Sequence, residues 1–327
     1  MSQQLLLVIG LALFFDFLNG MRDSSNIVAT MISSRAFTPR AALTMTALAE
    51  FLGPFLFGVT VARTIGSEVV QTRALTLEIL AACLTAAILW NLVTWFFGIP
   101  SSSSHALIGG LVGAVAVSVG VQAIQIQGLG KVLIALFVSP LVGFLFGFLA
   151  TRLIYFLASG ATPRINEFFK RGQLLTAIGM AFSHGTNDAQ KTMGIITLSL
   201  IIGGVLPSFT VPTWVVAASA AAISLGTALS GRRLIRTLGG KFYKIRPVHS
   251  FSTQMSSALV ILLASLIGVP VSTSQVVSSA IIGVGSSERF GKVRWGVAGD
   301  ILMAWIVTIP ASALLAAGMY WLITNLF

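Results

Sequence analysis

The chain has 327 residues, 56% of them hydrophobic and only 9% charged, where a soluble domain carries about 25% charged residues. An ordinary soluble fold is thereby excluded, and so is a transmembrane β-barrel, because the chain does not alternate apolar with polar residues. The net charge of +11 does not mark a nucleic-acid partner. The basic residues cluster in short links between apolar segments, which is how a membrane protein marks its cytoplasmic side.

Apolar stretches long enough to cross a hydrocarbon core, roughly 20 residues each, recur from end to end. Leu5–Gly20 follows "MSQQ", which has neither a positive n-region nor a small-residue cleavage pattern, so it reads as a retained span. "NGMRDSSN" at 19–26 ends that stretch, and Ala41–Ala62 and Leu75–Gly98 come next. "GIPSSSSHAL" at 98–107 then sets a proline and a hydroxyl cluster before Ala106–Ala123, and Val132–Ala158 follows. Beyond a basic link come "HGTNDAQK" at 184–191 and Val215–Leu229. "GVPVSTSQVV" at 268–277 and Val297–Leu326 complete the series. Cys83 is the one cysteine, so no intrachain disulfide forms.

These segments pair up. Gly20 and Asp23 match Gly185 and Asp188, "RTIG" at 63–66 matches "RTLG" at 236–239, Pro100 matches Pro270, and "FVSP" at Pro140 matches "IVTIP" at Pro310. The matches are collinear at a near-constant spacing, which predicts a duplication: a first repeat at 1–160, a cytoplasmic basic link at 161–171 and a second repeat at 172–327. If each Pro-hydroxyl turn joins a hairpin, each half makes three net crossings, and the odd number turns the second copy over.

The charges agree with that topology. Placing 152–172, 230–247, 286–295 and 35–40 inside leaves only Arg63, Arg73 and Lys131 in outer links, with Arg22 and Lys191 inside the motifs themselves. Both termini then face outward. The expected fold is an all-α polytopic membrane protein of two inverted-topology repeats, each with interrupted helices and a helical hairpin bearing a Pro-hydroxyl turn. That is the build of secondary transporters, whose sites lie near mid-membrane.

Of nine acidic residues, Glu68, Glu78, Glu167, Glu288 and Asp300 fall in or near links. Asp16, Asp23, Glu50 and Asp188 lie within apolar segments, and charges at that depth are functional candidates by default. The glycine before each motif aspartate is expected to loosen the helix, freeing carbonyls that join the carboxylate in a hard oxygen site for a cation. Asp23 and Asn26, three apart, face one cavity from a helical turn. Pro100 and Pro270 suit helix N-termini, where free N–H groups beside Ser101, Ser102, Ser103 and Ser104, and beside Ser272, Thr273 and Ser274, form an anion site without formal charge. His105 and His184 read as ordinary hydrogen-bonding residues, and His249 as interfacial. The buried acids outnumber Arg22 and Lys191 by two, so an anion is expected to enter only with cations or protons.

At these residues the chain resembles the inorganic phosphate transporter (PiT) family over essentially its whole length. The likeness is carried by "DFLNGMRDSSNIVATMISSRA" from Asp16, "FSHGTNDAQKTMG" from Phe182 and the two Pro-hydroxyl turns. The resemblance implies a cation-coupled phosphate symporter of the plasma membrane, often dimeric, with lipid around it. It implies that Asp23, Asn26, Asn187 and Asp188 take part in binding cation and phosphate, that both hydroxyl clusters cradle phosphate, and that Glu50 serves a further cation. Arg22 and Lys191 depart from the family pattern. The Lys191 ammonium either replaces a bound sodium or pairs with phosphate, so sodium coupling, proton coupling and a metal–phosphate substrate all stay open.

Two further classes compete. A sulfate or other oxyanion permease has the same build, and an ion channel using the hydroxyl turns as a filter is the next alternative. An enzyme is not expected: Ser104 and Ser183 each adjoin a histidine, but adjacent side chains point apart on a helix and no G-x-S-x-G element exists. "GLGK" at 128–131 is not a P-loop. No cofactor is expected beyond sodium as a coupling ion.

Overall fold

The computed structural model describes residues 2–230 and 245–326, and within these the side chains of Asn26, Lys292 and Leu326 are not described. The basic residues Arg232, Arg233, Arg236, Lys241 and Lys244, expected in a cytoplasmic link, lie outside the described residues. Those described are helical, with no strand among them beyond one isolated bridge, Val70 to Ile124.

The helices are α1 (Gln3–Ser33), α2 (Pro39–Leu56), α3 (Thr60–Arg63), α4 (Leu77–Phe96), α5 (Ser103–Ser118) and α6 (Ile126–Leu157), then α7 (Ile165–Ile202) and α8 (Thr213–Ala228). The last three are α9 (Pro247–Leu266), α10 (Thr273–Glu288) and α11 (Trp295–Leu326). Helices α1, α4, α6 and α11 are long and apolar enough to cross a membrane, and α2 with the Thr60–Glu68 segment makes a fifth candidate bent by 72°. The expected spans Ala106–Ala123 and Val215–Leu229 are α5 and α8, each only 16 residues, shorter than the roughly 20 that a full crossing needs.

The expected helix breaks at the motif aspartates are not there. Helix α1 runs unbroken through Gly20 and Asp23, and α7 through Gly185 and Asp188. The backbone carbonyls therefore stay in their helical bonds, and only side chains are left to bind a cation. The glycines have another task. A Cβ at Gly20 would lie 2.0 Å from the carbonyl oxygen of Ile223 on α8, and one at Gly185 would lie 2.3 Å from that of Glu50 on α2. Glycine is required there because two backbones touch, as at the small-residue crossings of membrane helices. The interruptions that do occur fall between α2 and α3 and at the two turns before α5 and α10.

Packing repeats in the same order as the sequence matches. Helix α1 packs on α8 and α7 on α2, and likewise α5 packs on α11 and α10 on α6. The apolar core forms two clusters. One holds Leu5 to Leu18 of α1 with Ala189 to Leu200 of α7, and the other holds Ile27 to Met31 with Ala177 and Met180. Between them, along both helices, lies a buried polar band comprising Asn19 to Ser25 and Ser183 to Asp188.

Gly185→Ala forces a backbone contact apart and is expected to cost about 1–3 kcal/mol. Thermal unfolding in detergent should show a lowered Tm. Gly10→Ala, whose Cβ would meet nothing within 4 Å, should leave Tm unchanged or raise it.

Candidate functional site

The polar band is completed by the starts of α5 and α10. Each follows a glycine held in the left-handed region, Gly98 at φ +68° and Gly268 at φ +74°, where a side chain would strain the turn. Each turn then delivers its hydroxyls to a helix N-terminus. Ser102 caps α5, its Oγ accepting the His105 N–H at 3.2 Å. Ser101, Ser102, Ser103, Ser104, Ser272 and Thr273 are all buried, and Ser272 and Ser274 hydroxyls lie 3.2 Å apart.

The two turns meet. Ser104 Oγ donates to the Val271 carbonyl at 3.3 Å, and Gln275 Nε2 lies 3.1 Å from His105 Nδ1. A corresponding residue of α1 or α7 holds each turn from behind. Arg22 donates to the Ser101 carbonyl and to Ser101 Oγ, both at 3.0 Å, and also to Asn91 Oδ1. Asn187, the residue before the other aspartate, donates to the Val271 carbonyl at 2.9 Å, while its own Oδ1 accepts the Val271 N–H at 3.4 Å.

Asp188 is the most heavily bonded group. Its Oδ1 accepts from Lys191 and, at 3.0 Å, from Asn187. Its Oδ2 accepts from Thr273 Oγ1 at 2.7 Å and lies 3.0 Å from His184 Nε2. The other ring nitrogen of His184 lies 2.8 Å from Glu50 Oε1. Glu50, His184 and Asp188 thus form a buried acid–imidazole–acid chain running from α2 to α7. Lys191 completes the cluster, donating to Asp188, to Ser104 Oγ at 2.6 Å and to the Val271 carbonyl at 2.8 Å.

Asp23 joins from α1. Its carboxylate, a His184 nitrogen and an Asp188 oxygen all lie within 4.8 Å of one another, a spacing that one small cation can bridge. Asp23, His184, Thr273 and Ser274 also line a narrow space. Asp16 is fully buried, and both its oxygens lack a hydrogen-bond partner among the described residues. An unpartnered carboxyl in that setting is costly. The side chain of Asn26 is outside the described residues.

Two participants were not legible as such. His184 reads as an ordinary polar residue, although its i, i+4 spacing to Asp188 places both on one helix face. Asn91, the partner of Arg22, carries no motif at all.

The arrangement offers hydroxyls and helix N-terminal N–H groups to an anion, and buried carboxyls to cations. The family model for the phosphate transporter family matches residues 19–316. The chain belongs to the phosphate transporter family. Its members are transporters, so this family member is a membrane protein and not an enzyme. It is 44% identical over 315 residues to a Rhizobium meliloti protein named "Probable low-affinity inorganic phosphate transporter", covering 96% of this chain and 94% of that one. A Bacillus subtilis protein of the same name is 42% identical, with 98% of both chains covered. A solved structure described as "The sodium-dependent phosphate transporter" superposes with a TM-score of 0.91 at 26% identity, over 100% of both chains.

Thr273→Val keeps the shape of this family member's second turn but removes the hydroxyl bonded to Asp188. The loss of a bond to a charged group is expected to cost about 1.5–3 kcal/mol. Ser102→Ala removes one helix cap, worth about 1 kcal/mol. Thermal unfolding should rank Thr273→Val below Ser102→Ala.

Proposed function

We propose that the chain carries inorganic phosphate across the cell membrane in symport with a cation, sodium or proton, by alternating access. The observation that carries this reading is the convergence of both hydroxyl-bearing helix starts on one buried acidic cluster. Ser101 to Ser104, Ser272 to Ser274 and Asn187 hold the phosphate through N–H and O–H donors at two helix N-termini. Asp16, Asp23, Glu50 and Asp188 hold the coupling cations, without which their charge repels the anion. The relatives named for phosphate and the sodium-dependent structural neighbour support the substrate and the cation requirement.

The space at the centre leaves no room for a water-sized sphere, so the two helix starts must part to admit phosphate. Motion of that kind suits two repeats of opposite orientation, at 1–160 and 172–327, which exchange shapes. Supporting the relation, His105 and Gln275 are separated by 170 positions, as are Pro100 and Pro270. They touch each other, as residues beside a two-fold axis would. Both termini face outward and the 161–171 link faces the cytoplasm. In the membrane the chain pairs with a second copy.

Radiolabelled phosphate and sulfate uptake into proteoliposomes, with sodium and proton gradients imposed separately, tests the transport reading. Saturable phosphate accumulation against its gradient, driven by at least one cation gradient and not competed by sulfate, is expected. Uptake that only runs downhill and never saturates would indicate a channel, and preference for sulfate would reassign the substrate. For the topology, Arg73→Cys and Glu167→Cys in a Cys83→Ala background place exposed thiols on the two links. They should react with an impermeant thiol reagent from opposite faces of the membrane, and reaction from one face would sink the inverted arrangement.

A further inference from the structure

We infer that the Lys191 ammonium is a tethered cation that fills one cation position of the closed transport site. The protein therefore needs no sodium there. The inference rests on the transport reading above and specifies its coupling.

The geometry is that of a coordination site. Three oxygens of different kinds surround Nζ: a carboxylate of α7, the Ser104 hydroxyl at 2.6 Å from the start of α5, and the Val271 carbonyl at 2.8 Å from the turn before α10. Carboxylate, hydroxyl and carbonyl together are the donor set of a hard cation. An ammonium has three protons and no acceptor, so in this closed arrangement these oxygens use up its donors. Lys191 is 1% exposed, which leaves its side chain no solvent to swing into. A sodium ion at the same oxygens would sit against the ammonium, and two like charges at contact distance in a buried site repel strongly.

The sequence alone left two roles for this residue, cation substitute or phosphate ligand. Saturation of all three donors by protein oxygens favours the first. The charge that meets Asp188 Oδ1 then stays with the protein rather than crossing with the phosphate.

The test compares wild type with Lys191→Asn, which removes the ammonium and supplies an oxygen. Purified wild-type protein in detergent should show no sodium-specific rise in Tm over choline that depends on this position, while Lys191→Asn should gain one. In proteoliposomes, Lys191→Asn should lose phosphate uptake in choline and recover it in sodium. Identical sodium responses in the two proteins, in both stability and uptake, would overturn the inference. So would a phosphate-dependent stabilisation lost from Lys191→Asn and not restored by sodium, the mark of a phosphate ligand. Should Lys191→Asn not fold, wild-type crystals soaked in thallium(I) with phosphate decide: Nζ in place among the three oxygens supports the inference, and thallium there with Nζ displaced refutes it. The stability and thallium readouts do not require transport. Failure of wild type to move phosphate under any gradient is thus a failure of the transport reading alone.

Discussion

A carboxylate buried at the depth of a membrane has no water to share its charge, so its partners must come from the protein. Asp188 meets that demand with Lys191, Thr273, Asn187 and His184, drawn from α7 itself and from the start of α10. Much of the architecture follows from this one requirement. Thr273 reaches Asp188 only because the turn before α10 dips into the middle of the molecule. Lys191 then ties the same cluster to the start of α5. In a polar centre of this kind each group left over bears its whole desolvation cost.

Close helix contact is the second condition. Gly20 and Gly185 let α1 and α7 sit directly on the backbones of α8 and α2, which holds their polar faces toward the two helix starts. A Cβ at either position would push the carrying helix outward, and its aspartate with it. The same glycines that look like helix breakers in the sequence are, in the folded chain, what fixes the spacing of unbroken helices.

How much was legible follows from the range of the forces involved. Helical class, the apolar spans and the hydroxyls at helix starts rest on local composition and capping, and these are readable from a few residues at a time. The continuity of α1 and α7 is not legible, because glycine lowers helix propensity locally while the contact that requires it comes from residues far along the chain. The role of His184 is hidden for a similar reason: its partner Glu50 is 134 positions away. The role of Arg22 depends on Asn91 and Ser101, two more distant neighbours without a shared motif. The burial of Asp16, Asp23, Glu50 and Asp188 is legible because a charge in an apolar run is conspicuous whatever surrounds it.

The meeting of His105 with Gln275 has a mechanical consequence. Under the proposed two-fold relation, a transition that swaps the shapes of the two halves replaces each off-axis contact by its mirror counterpart. The Ser104 to Val271 contact, for example, would give way to one between Ser274 and Ser101. A contact between two equivalent residues is its own counterpart and survives the swap. His105 and Gln275 would then act as the fulcrum of a rocker, staying joined while everything around them exchanges partners.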